Sequence, residues 1–117
     1  MDPITGDAFD AIVEDALDEV PEELMAMLDN VVFLVEDEPP PGDPDLLGVY
    51  EGVPLTERGE FGGAGSLPDA ITLFRGPLTR MCRDTEELTD EIAVTVVHEI
   101  AHHFGIDDEA LHLLGWG

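Results

Sequence analysis

The chain has 117 residues, 44% of them hydrophobic, which is enough to bury a core and too apolar for a disordered tail. It carries 28 Asp and Glu against 4 arginines and no lysine, and a net charge of −24 makes nucleic acid and anionic membrane surfaces poor partners. One cysteine, Cys82, permits no internal disulfide, no apolar run is long enough to span a membrane, and Met1-Asp2-Pro3-Ile4-Thr5 has neither a basic nor an apolar leader region; together these predict one cytoplasmic domain over residues 1–117.

Residues 4 to 28 read as helical. Phe9, Ile12, Val13, Ala16, Leu17 and Val20 recur at three- and four-residue spacing with acids between them, and Thr5 is a cap. Pro21 breaks the run and opens a second short helix, Glu22 to Leu28, as its first residue. Asp29-Asn30 is a turn signal. Val31 to Val35 is a run of apolar, largely β-branched residues, which predicts a strand buried on both faces. Glu36 to Asp45 holds four prolines among acids and reads as an exposed, stiffened loop. Leu46 to Tyr50 is a second strand. Thr56 to Pro68, rich in glycine, reads as a mobile loop. Ala70 to Phe74 is a third strand, closed by a break at Gly76-Pro77. Arg75, Arg80 and Arg83 follow, most simply paired with the surrounding carboxylates; contact of Arg75 with a substrate is the alternative. Cys82 matches no metal-binding spacing and reads as a packed small residue.

Asp84-x-x-Glu87 has the form of a capping box, so a helix of about 20 residues is predicted to run from there to Phe104. Ala93, Val96, Val97, Ile100, Ala101 and Phe104 fall on one side of it; Glu91, Thr95, His98, Glu99 and His102 fall on the other. Gly105 is a helix stop, because glycine takes the left-handed conformation at little cost. Asp108 to Leu114 forms a last short helix packed by Leu111 and Leu114.

Residues 98–108 read H-E-x-x-H-x-x-G-x-x-D. Histidines four apart on a helix lie about 40° apart around its axis, so His98 and His102 can reach one metal ion. Imidazole and carboxylate suit zinc, which leaves a place for water beside three protein ligands. In this pattern the third ligand falls ten residues after the first, at Asp108; Asp107 is one residue short of that register and is the competitor. Glu99 is placed as the general base acting on a water activated by the metal. His103 points about 100° away from His102 and reads as a packing residue or a support to the ligands. His112 reads as exposed.

These residues resemble the zincin metallopeptidases, and the form ending in Asp resembles metzincins with Asp as third ligand. The chain resembles more closely the small bacterial zincin-like metallopeptidase family. The likeness takes in Leu28-Asp29-Asn30-Val31, Leu47-Gly48-Val49-Tyr50-Glu51-Gly52, Ile71-Thr72-Leu73-Phe74-Arg75-Gly76-Pro77 and Val97 through Trp116. It implies an α+β, minimal zincin-like fold: the motif helix packed on about three short strands, with N-terminal helices and a short C-terminal one. It implies a zinc-dependent metallopeptidase with one zinc per chain and a peptide or protein substrate, with a metal-binding or interaction module lacking independent proteolysis as the alternative. The chain departs from the larger zincins in two respects: its sheet has at most three short strands where theirs is longer, with an edge strand that holds extended peptide, and it lacks the methionine turn of metzincins. Every methionine (Met1, Met25, Met27, Met81) precedes the motif, so no methionine turn follows the third ligand.

Overall fold

A computed structural model of the chain describes residues 4–52 and 68–113. Helix α1 (Gly6–Glu19) and a single turn, α2 (Glu22–Met25), lead into strand β1 (Val31–Glu36). Strands β2 (Gly48–Glu51) and β3 (Asp69–Phe74) follow, then helices α3 (Arg75–Met81), α4 (Thr85–Phe104) and α5 (Asp108–Leu113). The glycine-rich stretch expected to be mobile lies, apart from Pro68, outside the described residues. The architecture is α+β, as the sequence implies.

The helix ends follow the local chemistry. Thr5 caps α1, its Oγ1 accepting from the Ala8 N–H at 3.2 Å. Val20 is extended and Pro21 becomes the N-cap of α2 rather than its first helical residue. Asp84 caps α4 by accepting from the Glu87 N–H at 2.8 Å. Glu87 turns its own carboxylate to Arg83 Nε at 3.1 Å. Gly105 ends α4 at φ 72, and the Ile106 N–H reaches back to the Ala101 carbonyl at 2.8 Å, a Schellman closure.

The sheet has the order β1-β3-β2, with β1 parallel and β2 antiparallel to β3. This corrects one expectation. Burial on both faces belongs to the central β3, where Ile71 and Leu73 are buried on one side and Thr72 and Phe74 on the other. β1 lies at an edge, and its side chains alternate between partly buried and exposed, with Val32 and Leu34 exposed. Its apolar run fits a buried strand equally well by composition; position in the sheet is a non-local fact.

α4 is the hub of the core. It packs against α1, α2, α3, β2 and β3. Phe9, Val13 and Ala16 of α1 meet Leu88, Ile92, Val96 and Ile100 of α4 in one cluster with Ile71 and Leu73. Each Val, Leu, Ile or Phe among them contributes about 1.5–3 kcal/mol on burial. Gly76-Pro77, expected as a break, falls inside the first turn of α3, where the missing proline N–H costs no helical bond. The acidic loop after β1 folds onto this helix: Asp37 pairs with Arg75 and Glu38 with Arg80, the latter through two bonds at 2.9 and 3.0 Å.

Candidate metal centre

α4 presents the motif at its C-terminal end. His98 and His102 are exposed, Glu99 is half-buried, and Val97, Ile100 and Ala101 between them are buried in the core. The buried residues fix the rotation of the helix and leave both imidazoles on its open side. The Schellman turn then reverses the chain, and α5 begins beside the histidines. His98, His102 and Asp108 line one cavity of about 230 Å³, floored by Ala101, Ile106 and Leu111.

Asp107 and Asp108 differ in what they do. Asp107 caps α5: its Oδ1 accepts from the Ala110 N–H at 2.8 Å, and its carbonyl accepts from Leu111 N–H at 3.0 Å. Asp108 is exposed in the first turn of α5 and lines the histidine cavity.

Glu99 faces a second, adjoining cavity of about 540 Å³, lined also by Leu46, Gly48, Val49, Tyr50, His102 and His103. His102 borders both cavities. Glu99 Oε1 accepts from the backbone N–H of Tyr50, on β2, at 3.0 Å. The strand approaches this closely because of Gly48. A Cβ there would stand 2.9 Å from Thr95 Cγ2 and 3.1 Å from the Thr72 carbonyl oxygen. Thr95, assigned to the polar side of the helix from its spacing, is therefore buried; its hydroxyl donates to the Glu91 carbonyl at 2.8 Å. Phe104, assigned to the apolar side, is 38% exposed.

The match to family models decides what this arrangement belongs to. Residues 28–116 match the model of the zincin-like metallopeptidases. The chain belongs to the zincin-like metallopeptidase family. A solved structure, a conserved hypothetical protein from Thermus thermophilus, is similar at 27% sequence identity and a TM-score of 0.56, over 97% of this chain and 100% of that one. No curated protein matches.

For a member of the zincin-like family, the donor set is of the right chemistry: two neutral-capable imidazoles one helical turn apart and a carboxylate. The side chains as placed do not converge. Among the described residues, no three His, Cys, Asp or Glu side chains form a group that can hold a metal ion. His98, His102 and Asp108 are all exposed. Imidazole and carboxylate are donors that zinc accepts, and the backbone brings all three residues to one cavity.

Sequence reasoning missed Tyr50 and Asp69. The Tyr50 hydroxyl donates to Asp69 Oδ2 at 2.9 Å, and Asp69 is buried. The Tyr50 ring stacks on His103, with centroids 3.7 Å apart and planes 14° from parallel. His103 thus packs, as its direction on the helix predicts. His112 is exposed. Arg75 is bound to Asp37. Cys82 is buried, and burial, with Glu87, Glu91 and Asp84 nearby, pushes its thiol up to about 11. No described helix is long and apolar enough to cross a membrane.

Proposed function

We propose that this zincin-like protein is a zinc-dependent peptidase in which His98, His102 and Asp108 hold one zinc per chain and Glu99 is the general base. The reading rests chiefly on the sharing of one cavity by His98, His102 and Asp108, with Glu99 across His102 in the next. Zinc bound there supplies Lewis acidity, polarising an amide carbonyl and lowering the pKa of water towards ~7. Glu99 takes the proton from the attacking water and passes it to the departing amine nitrogen as the C–N bond breaks. The Tyr50 N–H holds the carboxylate, which lines the larger cavity beside His102. An acidic surface favours a peptide or protein substrate over nucleic acid or a membrane. A lone, buried cysteine accords with a cytoplasmic setting.

The separated donor atoms favour a second reading: a metal-binding or interaction module on the same scaffold, without turnover of its own. Metal analysis of wild type and His98→Ala, followed by a peptide-library digest, separates the two. The peptidase gives one zinc in wild type, loss of zinc in His98→Ala, and cleavage that Glu99→Gln abolishes while zinc stays. Cleavage that survives Glu99→Gln removes the general-base role. Stoichiometric zinc with an intact library supports the second reading.

A further inference from the structure

We propose that Tyr50 is a positioning residue that holds the Glu99 carboxylate through its own backbone N–H; its catalytic consequence rests on the peptidase reading above. The strand geometry aims that N–H. β2 and β3 pair so that Leu47 lies opposite Phe74 and Val49 opposite Thr72, and the Phe74 N–H donates to the Leu47 carbonyl at 2.9 Å. In an antiparallel ladder, bonded and non-bonded pairs alternate. Gly48 and Leu73 therefore form a non-bonded pair, as do Tyr50 and Ile71, and the Tyr50 N–H leaves the sheet on the side away from β3. That side faces α4, and there it meets Glu99 Oε1 at 3.0 Å.

The ring of Tyr50 is pinned from two directions. Its hydroxyl is anchored on the buried carboxylate of Asp69 at 2.9 Å, at the start of β3. Its face lies against His103, and Phe104 meets it edge-on at 6.2 Å. His103 follows the ligand candidate His102 directly, one turn after Glu99. Tyr50 therefore clamps the motif turn of α4 to two strands at once, and the N–H that meets Glu99 moves only if this clamp moves. Three rotatable side-chain bonds give Glu99 many other positions, and the clamp selects one of them.

The direct test reads the contact itself by NMR of the full chain. Replacing Glu99 with Ala removes the acceptor and shifts the Tyr50 amide proton upfield, while Glu99→Gln, which keeps an acceptor oxygen, leaves it nearer its original position. A Tyr50 amide indifferent to Glu99→Ala overturns the proposal. The kinetic arm uses the zinc-loaded chain and a peptide taken from the library digest. Tyr50→Ala lowers kcat by roughly 10- to 100-fold, in keeping with the cost of a misplaced catalytic group, with KM and zinc stoichiometry little changed. Tyr50→Phe keeps the stack on His103 but gives up the anchor on Asp69, so it recovers only part of the loss. An equal kcat in Tyr50→Ala overturns the proposal, as does a change confined to KM. Should Tyr50→Ala fail to fold, Asp69→Ala, which frees the hydroxyl, is expected to lower kcat in the same sense, and an unchanged kcat there is equally fatal. A wild type inert on every peptide refutes the peptidase reading alone, because the amide shift still decides whether Tyr50 holds Glu99.

Discussion

Asp107 and Asp108 are adjacent and chemically identical, and the fold separates their tasks. Asp107 closes the N-terminus of α5 through Ala110 N–H. Its replacement by Ala is expected to cost about 1 kcal/mol of stability, as is usual for a lost cap, and to leave zinc stoichiometry at one. Asp108→Ala is expected to leave the melting temperature within a degree or two and to weaken zinc binding at least tenfold. Thermal melts of the metal-free chain and zinc titrations read both; the reverse pattern makes Asp107 the ligand. The sequence could not separate the two, because Asp serves as a cap or as a ligand, and a one-residue shift in where α5 starts exchanges the roles. Cys82 was simpler to read, since burial is the main influence on its thiol, with nearby acids acting in the same direction. With its thiol pushed up to about 11, it is expected to resist alkylation at pH 8 in the native chain and to react fully in denaturant. Rapid native labelling contradicts the buried placement.

Among the elements, the crossing of α4 over β2 has the narrowest tolerance. Gly48 lets the strand lie close enough for the Tyr50 N–H to reach Glu99. In Gly48→Ala the new methyl meets a buried β-branched side chain on one side and a backbone carbonyl on the other, neither of which swings away. A loss of about 1–3 kcal/mol is expected, as for overpacked cores generally; chemical denaturation measures it, and an unchanged midpoint refutes the close approach. This contact also explains what was legible. The length of α4 could be read from Asp84 and Gly105, because caps are local. The inward placement of Thr95 could not, since it depends on a glycine far earlier in the chain. α3 was hidden for a related reason: Arg75-Gly76-Pro77 has the composition of a break, and it becomes a helix start only because β3 delivers the chain there and Asp37 receives the Gly76 N–H at 2.8 Å. Of the candidate site, the sequence named three residues, His98, His102 and Asp108, that line one cavity. The site's supports, Tyr50 and Asp69, were not legible, because their contacts cross from strand to helix and from strand to strand.

At the scale of the whole molecule, charge opposes folding. The three arginines among the described residues are each paired with a carboxylate, Arg75 with Asp37, Arg80 with Glu38 and Arg83 with Glu87. With 28 acids against 4 arginines, most of the negative charge has no cation to meet it. The pressure is visible where α1 meets α4. Desolvation at this crossing raises the exposed Glu19 carboxyl above its ordinary value of 4.5, assisted by a hydrogen bond and the charge of Asp90 and by the charge of Asp15. A carboxyl raised in the folded state binds its proton more tightly there than in the unfolded chain. Its protonation therefore adds stability that is fully present below 4.5 and is lost as pH rises through the elevated folded value. Glu19→Gln, neutral at every pH, is expected to melt higher than wild type at pH 7 and to lose that advantage below 4.5. Salt acts on the same repulsion. Between ~10 mM and ~150 mM the screening length falls from about 30 Å to about 8 Å, so the wild-type melting temperature at pH 7 is expected to rise with sodium chloride. The rise should be smaller in Glu19→Gln and smaller again near pH 4.5, where many acids are neutral. Melts over that grid of salt and pH distinguish this from simple surface solvation, for which the three curves would run parallel.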